Sequence, residues 1–421
     1  MPVKVRDDII LIRGPFGNTL RICQELKQLT RRTAVDCLQL NCEGLDALLL
    51  PAVQDLLESR TKWKRISFGY CTSLDLIRFI HRVDHVVLSK TEPHIVAGLL
   101  LAMEELHLLS LSIHDCSLSV AVAESLGKTL CSKSCALKQL TLGPRINWSD
   151  DAVLQIGEAL QENRTIEEIK IVGGSLEDDQ VASLVTSLQS HPKVTTLTVK
   201  HNFVQGTTIG AISELLLQSP PPNLSSIGVQ YPEVWDDKGY MFDLFRALQS
   251  LQGCKLVSLS LPGNFLEDIH ADAIFETLLH PNCTLRMLDL THNGRLSSTV
   301  MARLCTILPK LRLKTLLMGF SEDICQANQD LVIQALSYNT VLERTDIGGE
   351  NPSIQVQYFL ALNRAGRRYK LGDQIPISLW PNILAKCKEI AAQSNIRASD
   401  IIYDFLHGPA FLMARRVAHT R

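Results

Sequence analysis

Pairs of adjacent aspartates are the residues of this sequence whose type could support acid–base catalysis or hold a divalent cation. They stand at Asp150-Asp151, Asp178-Asp179 and Asp236-Asp237. Each pair occurs at the same phase of a repeating pattern, where a segment with helical periodicity begins. Carboxylates in the first turn of a helix accept hydrogen bonds from free N–H groups and complement the helix dipole. We therefore interpret these pairs as helix-start residues.

The histidines and cysteines lack the spacing of a metal site. His201 and His292 occupy equivalent positions three repeats apart, which is about 14 Å at the usual strand spacing and too far for one zinc ion. Cys131-x-x-x-Cys135 has no second Cys-x-x-Cys pair to complete a zinc module. The sequence also contains no GxxxxGKS or GxxxxGKT, no GxGxxG after a strand and no HExxH. We predict a protein that is not an enzyme and that uses no cofactor and no metal.

The composition and charge of the chain indicate which kinds of partner it can bind and whether it crosses a membrane. The chain has 421 residues, 46% of them hydrophobic, and 42 basic against 44 acidic side chains. A balance so close to neutral argues against nucleic acid as the partner, since phosphate binding needs an excess of cations. Glu104 and Glu105 interrupt the longest apolar stretch, so no membrane span is expected.

The cysteines and the first residues bear on secretion. The twelve cysteines are scattered without the even spacing of a disulfide framework. Arg6, Asp7 and Asp8 fall where a signal peptide would need its apolar core. We expect a cytoplasmic protein, with the nucleus as the second candidate compartment, whose partner is another protein.

An apolar triplet of the form L-x-x-L-x-L recurs along most of the chain at intervals of 28 to 32 residues. Its first member stands at Leu106, Leu137, Ile166, Val194, Leu224, Leu256, Leu285, Leu313 and Leu342. Weaker copies precede these at Val35, Trp63 and Val83. The fullest copies add an asparagine three residues after the triplet, at Asn202, Asn264 and Asn293. A fixed period of this length is typical of stacked repeats.

These residues resemble the leucine-rich repeat of the ribonuclease inhibitor-like type over roughly residues 35–351. The physics of the pattern agrees with the resemblance, because L-x-L places both leucines on one face of a strand and the following segment has helical periodicity. One such unit cannot bury its own apolar face and must stack on its neighbours. We predict an α/β leucine-rich repeat solenoid, a right-handed horseshoe with a parallel inner sheet and outer helices.

The domain organisation follows from where the repeat begins and ends. We predict an N-terminal capping unit over 1–34, about 12 repeats over 35–351, and a small α-helical C-terminal cap or extension over 352–421. The stretches LALNRAGRR and IPISLWPNIL in the last segment resemble the tail of leucine-rich repeat proteins of diatoms and other microalgae.

The strand residues that point away from the core form the predicted concave surface. Nearly half of them are Ser, Thr or Gly and none is aromatic, so this surface lacks the anchors of a tight interface. A triplet that starts at Leu106 places Leu108, Ser110 and Ser112 on it. The candidate protein-binding residues are Glu168, Lys170, Lys200, Gln230, Tyr231 and Asp289.

The predicted function is a non-enzymatic protein–protein interaction scaffold whose partner is unknown. Two alternatives stay open. The first is a GTPase-activating regulator resembling Ran GTPase-activating proteins, in which Arg145 or Arg295 would reach a nucleotide. The second is a ubiquitin-ligase substrate adaptor in which the C-terminal helices form the docking box.

Overall fold

The computed structural model describes residues 3–6, 9–12, 19–29, 36–43, 49–59, 62–71, 83–173, 176–189, 191–201, 205–218, 223–230, 239–250, 255–350, 352–364, 380–393, 397–399 and 402–403. The chain divides into two compact units, and each is considered on its own. Unit 1 comprises Met1–Glu233 with Gly253–Lys255, and unit 2 comprises Val234–Gln252 with Leu256–Arg421.

Unit 1 alternates strands and helices. Its strands are β1 (Val3–Arg6), β2 (Ile9–Ile12), β3 (Cys37–Asn41), β4 (Trp63–Gly69), β5 (Val83–Ser89), β6 (Ser110–His114), β7 (Ser117–Leu118), β8 (Gln139–Leu142), β9 (Asn147–Trp148), β10 (Glu168–Val172), β11 (Thr196–Lys200) and β12 (Ser226–Gln230). Its helices are α1 (Thr19–Leu29), α2 (Leu50–Glu58), α3 (Pro93–Leu106), α4 (Val120–Cys131), α5 (Asp150–Glu162), α6 (Asp178–Thr186) and α7 (Gly206–Leu217).

The strands of unit 1 lie side by side in the order β1-β2-β3-β4-β5-β6-β8-β10-β11-β12. Strands β1 and β2 are antiparallel, and from β2 onward the neighbours are parallel. The short strands β7 and β9 form a separate parallel pair. A helix lies in the connection between most successive strands, as the triplet followed by a helical segment predicts.

Unit 2 repeats the same alternation with shorter strands. Its elements are α8 (Gly239–Ser250), β13 (Ser258–Ser260), α9 (Asp268–Leu279), β14 (Met287–Asp289), α10 (Ser298–Ile307), β15 (Thr315–Leu317), α11 (Glu322–Ala327), α12 (Gln329–Tyr338), β16 (Arg344–Thr345), α13 (Ile354–Arg364) and α14 (Trp380–Gln393). Strands β13 to β16 are parallel neighbours in chain order. Helix α13 packs against α12, and α14 packs against α13.

The core of each unit lies between its strands and its helices. In β10, Ile169 and Ile171 are buried while the residues on either side of each are half-buried, which is the period of two expected for a strand. Parallel register aligns the equivalent positions, so that Ile169 is paired with Leu140 and Leu197. Each helix from α3 to α6 contacts the next one along the chain. The fold class is therefore the predicted one, α/β leucine-rich repeats with a parallel sheet and flanking helices.

The register of one repeat differs from the prediction. The triplet does not start at Leu106, which is the last residue of α3, but at Leu108, whose side chain is buried. Leu111 is paired with Leu140 and Ile113 with Leu142, which places these two on the core side. Leu108 is therefore wrongly assigned to the outward face, and His114 takes its place beside Ser110 and Ser112 on that face.

Helices α13 and α14 follow the last described strand of unit 2. Helix α13 lies within the predicted helical cap, and its buried face includes Val356, Phe359 and Leu362. The domain boundaries at 34/35 and 351/352 stay predictions. Among the helices that the structure describes, none combines the length and the apolar character needed to cross a bilayer.

Buried asparagines fasten one repeat to the next. The side chain of Asn163, at the end of α5, donates to the carbonyl of Leu130 (2.6 Å) and accepts from the backbone N–H groups of Thr165 and Ile166 (both 2.9 Å). In unit 2, Asn339 donates to the carbonyl of Leu308 (2.7 Å) and likewise accepts two backbone N–H groups. These bonds satisfy backbone groups that would otherwise be buried without partners.

We predict that Asn163→Ala lowers the free energy of unfolding by about 2–4 kcal/mol, because it leaves several buried backbone groups unpaired. Asn282→Ala is the matched control, since that side chain is exposed in the turn that follows α9. Urea denaturation followed by circular dichroism measures both variants. Equal midpoints for the two variants would show that the asparagine bonds carry no stability.

His191 takes the asparagine role in the repeat after Asn163. Its Nδ1 accepts from the backbone N–H groups of Lys193 (3.3 Å) and Val194 (3.2 Å), and its Nε2 lies 3.3 Å from Asn163 Oδ1. Burial, with smaller contributions from Arg164 and Lys193, lowers the pKa of His191 from 6.5 to about 4. The unfolded chain therefore takes up a proton before the folded chain does as the pH falls.

We predict that His191→Asn reduces the acid sensitivity of the fold. The wild-type protein should lose stability as the pH falls from 6.5 towards 4, and the variant should lose less. Thermal unfolding across this range measures the difference, with His94→Asn, an exposed position, as control. The assignment fails if both variants follow the wild-type pH dependence.

Candidate protein-binding surface

The outward side chains of unit 1 form rows because its parallel strands are in register. One row contains Arg65, His85, Ser110, Gln139, Glu168, Thr196 and Ser226. The next row contains Ser67, Val87, Ser112, Thr141, Lys170, Thr198 and Gly228. The row at the ends of the strands contains Gly69, Ser89 and His114, and further along Val172, Lys200 and Gln230. We call this set of rows the strand face of unit 1.

The structure brings four of the six predicted residues together. Glu168 and Lys170 lie on β10, and Lys200 and Gln230 lie directly opposite each other on β11 and β12. Tyr231 lies outside the described residues. Asp289 lies on β14 of unit 2.

The charged pair at the centre of this group is partly neutralised within the chain. Lys170 Nζ lies 2.5 Å from Glu168 Oε1, and Lys138 Nζ lies 3.0 Å from Glu167 Oε1 on the neighbouring segments. Surface pairs of this kind contribute at most about 1 kcal/mol, so a partner can exchange them at low cost. The neighbouring side chain of Thr198 is small and leaves the pair accessible.

A shallow cleft opens beside the pair where the strands of unit 1 begin. Its volume is about 240 Å³, and it is lined by His85, Leu109, Lys138, Gln139, Glu167, Glu168, Thr195 and Thr196. Pockets for small-molecule ligands and cofactors usually enclose about 300–1,000 Å³ and are mostly apolar. This cleft is smaller, and seven of its eight lining residues have polar or charged side chains, which suits one or two side chains of a protein partner.

Asp289 is engaged by its own unit. It accepts hydrogen bonds from Ser260 Oγ (3.2 Å), from the backbone N–H of Thr291 (3.0 Å) and from Thr291 Oγ1 (2.7 Å). These three hydrogen bonds fix the Asp289 carboxylate in place and account for an acidic residue at this position. Its role in binding stays a prediction.

Sequence reasoning missed a column of residues in the left-handed conformation just after the strands. Tyr70, Lys90, Asp115, Arg145 and His201 have φ between 50° and 60°, with values of 53°, 52°, 51°, 56° and 54°. The N–H of Lys90 donates to the carbonyl of His114 (3.2 Å), and the others bond to the following repeat in the same way. We call these five residues the left-handed column. These residues share one position in the repeat, usually two residues after the last apolar residue of the triplet. That shared position is the signal from which the sequence could have identified them.

Side chains of the left-handed column contact one another. Lys90 Nζ lies 2.5 Å from the hydroxyl oxygen of Tyr70 and 4.8 Å from the centre of its ring. Arg145 Nε lies 2.6 Å from Asp115 Oδ1. In unit 2, Arg295 lies 2.9 Å from Glu267 and 5.7 Å from the ring of Phe265. Both arginines considered for nucleotide contact are therefore in ion pairs within the chain.

The two aspartate pairs that the structure describes, Asp150-Asp151 and Asp178-Asp179, stand at helix starts as predicted, and Asp150 and Asp178 also bind the following repeat. Asp178, the first residue of α6, accepts from the backbone N–H groups of Gln205 (2.5 Å), Thr207 (2.8 Å) and Thr208 (3.1 Å). Burial alone would raise the pKa of Asp178, but these hydrogen bonds outweigh it and lower the pKa. Asp236-Asp237 lies outside the described residues.

We predict that Asp178→Ala lowers the free energy of unfolding by about 1–3 kcal/mol, because the start of α7 loses its acceptor. Asp151→Ala is the matched control, since Asp151 is an exposed first-turn carboxylate whose contribution is a few tenths of a kcal/mol. Chemical denaturation compares them. Equal losses would mean that Asp178 acts only through the helix dipole.

The described cysteines are free thiols, and several of them lie in surroundings that favour the protonated form. Burial, followed by Glu162, raises the pKa of Cys131 to about 11, and burial raises the pKa of Cys305 to about 11. A protonated thiol is a poor nucleophile and metal ligand. Within the described ranges, no group of three or more His, Cys, Asp or Glu residues is placed to hold a metal ion.

Comparisons with known proteins give no family assignment. No protein-family model matches the chain, and no curated protein matches its sequence. One similar solved structure is that of a leucine-rich repeat protein of Leptospira interrogans, at 12% identity and a TM-score of 0.23. The match covers 76% of this chain and 98% of that one. The leucine-rich repeat fold of this chain rests instead on its own repeat, strand register and helices.

Proposed function

We propose that this protein is a non-enzymatic scaffold that binds another protein through the strand face of unit 1. The observation that supports the proposal is the strand face of unit 1, in which the parallel register aligns the outward side chains in rows. Many small polar side chains lie around Glu168, Lys170, Lys200 and Gln230, supported by a sheet whose other side is buried. Repeat folds commonly use surfaces of this kind to contact extended areas of a partner.

The character of the surface favours a partner with polar complementarity. Its rows contain threonine, serine and glycine beside lysine and glutamate, and most residues that line the cleft next to Glu168 are polar or charged. Without aromatic anchors in these rows, affinity must come from many weak contacts and from charge matching. No observation favours the GTPase-activating or ubiquitin-ligase alternatives over this proposal.

We predict that the double variant Thr141→Arg with Thr198→Arg disrupts binding, because two long charged side chains project from the middle row of the strand face. The control is Leu154→Arg with Gln161→Arg, which adds the same charge at exposed positions of helix α5. Immobilised wild-type, strand-face and helix-face proteins are exposed to the same cell extract. Captured proteins are quantified by mass spectrometry.

The expected outcome is a set of proteins retained by the wild type and the helix-face variant and lost, by about tenfold or more, with the strand-face variant. Thermal unfolding of all three proteins confirms that they are folded. Identical capture by both variants would contradict binding through the strand face.

A further inference from the structure

The middle of unit 1 carries an excess of positive charge that the whole chain does not have. Segments 62–71, 83–90, 108–115 and 138–145 together contain six lysines and arginines and two aspartates, whereas the whole chain has a formal net charge of −2. These segments hold β4, β5, β6 and β8, which are consecutive in the sheet. Segment 36–43, on one side of them, contains Asp36 and Glu43 and no basic residue. The excess is therefore local to four adjacent strands.

Part of this charge is left without a carboxylate. Lys62 lies 2.8 Å from Asp84, and Arg145 is paired with Asp115. Among the residues that the structure describes, Arg65 and Lys90 have no carboxylate oxygen within 4.0 Å. Both side chains are exposed. Arg145 is also exposed, and while its Nε and Nη2 bond to Asp115 (2.6 and 3.4 Å), its Nη1 is left for a further acceptor.

His114 on the same face adds no charge at neutral pH. Burial, together with the nearby Arg65 guanidinium, lowers the pKa of His114, although Asp115 acts in the opposite direction. The positive potential of this surface therefore comes from Arg65, Lys90 and Arg145. It does not depend on a histidine that titrates near neutrality.

Backbone conformation gives a second and independent reason to look for a role here. A left-handed conformation is less favourable for a residue with a Cβ atom than for glycine. Gly173 occupies the equivalent position after β10 with φ of 56°, so glycine is compatible with this turn. Tyr70, Lys90 and Arg145 nevertheless keep large side chains there. Strained residues that persist in this way point to a function of the side chain.

Small residues lie between these cations. Together with the cations they form a shallow surface across β4, β5, β6 and β8, which we call the shelf. Ser67, Ser89 and Ser112 point outward from β4, β5 and β6, and their side chains are half-buried. Arg65 and Arg145 are about 14 Å apart across the strands from β4 to β8, and Arg65, which pairs with His85, also lies five residues or about 16 Å before the position of Lys90 along the strands, so the shelf spans about 22 Å diagonally. An extended peptide places side chains of one face about 6–7 Å apart, so a few alternate acidic residues match this span.

We propose that Arg65, Lys90 and Arg145 form a docking surface for an extended acidic segment of a protein partner. Carboxylates of the segment pair with the two guanidinium groups and the ammonium group, and its backbone lies over the serines. The inference rests on the proposed function, since it specifies which part of the strand face makes contact and the chemistry of the partner that it selects.

The direct test is binding of a labelled peptide of about ten residues in which glutamate and serine alternate. Fluorescence anisotropy measures its binding to the full chain at about 50 mM salt, with a lysine–serine peptide of equal length as control. The acidic peptide should bind, and raising the salt to about 300 mM should weaken binding several-fold. The basic peptide should not bind.

We predict that the double variant Lys90→Gly with Arg145→Gly weakens binding of the acidic peptide by about four- to twentyfold, and raises the unfolding temperature because strain is relieved. Lys128→Gln with Lys133→Gln removes the same charge from α4 and the turn that follows it, and should leave binding unchanged. A purely structural column would become more stable without losing affinity.

The outcomes separate this inference from the scaffold proposal. The docking surface is refuted if the acidic peptide does not bind at low salt, if the basic peptide binds equally well, or if the glycine variant keeps full affinity. In any of these cases the scaffold proposal still stands if Thr141→Arg with Thr198→Arg loses proteins that the helix-face variant retains. Loss of both effects would refute both.

Discussion

No repeat of this protein can satisfy its own backbone and apolar side chains, and this constraint explains most of its structure. Each inner strand finds its hydrogen-bond partners on the strands of neighbouring repeats. The buried asparagines repeat the principle at the helix ends, where Asn163 binds the carbonyl of Leu130 and Asn363 binds that of Leu342. Asp178 does the same at a helix start. Stability is therefore a property of adjacent repeats together.

The same constraint separates the residues that build the fold from those that are free to bind. Alternate strand positions must be apolar because they face the helices, whereas the outward positions need only be compatible with a strand. Most of the outward positions are small and polar, and the exceptions stand out for this reason. Glu168 and Lys170 form one exception, and Arg65, together with Lys90 and Arg145 just after the strands, forms another. Their chemistry is not required by the packing, and for this reason we propose them as the residues that contact a partner.

Much of the fold could be predicted from the sequence, because the L-x-x-L-x-L triplet reports strand, face and period at once. The outward positions of Glu168, Lys170, Lys200 and Gln230 follow directly from it. The error at Leu106 arose because Leu106, Leu109 and Leu111 match the same pattern as Leu108, Leu111 and Ile113. Only the length of α3 and the pairing with β8 distinguish the two registers.

The left-handed column and the role of His191 could not be predicted in the same way. A glycine signals positive φ in a sequence, but Tyr70, Lys90 and Arg145 give no such signal although their backbone has the same conformation. His191 replaces an asparagine because its Nδ1 can accept the same two backbone N–H groups. Both features depend on contacts with the neighbouring repeat. These contacts cannot be read from the sequence of one repeat alone.

The central claim is that successive repeats are joined by continuous backbone ladders that extend past the strands into the left-handed column. Amide hydrogen exchange at single-residue resolution tests it most directly. The account predicts slow exchange not only in β5 to β11 but also at the N–H groups of Lys90, Asp115, Gly173 and His201, which donate to the next repeat. Exchange of these amides at the rate of exposed loops, while the strands stay protected, would contradict it.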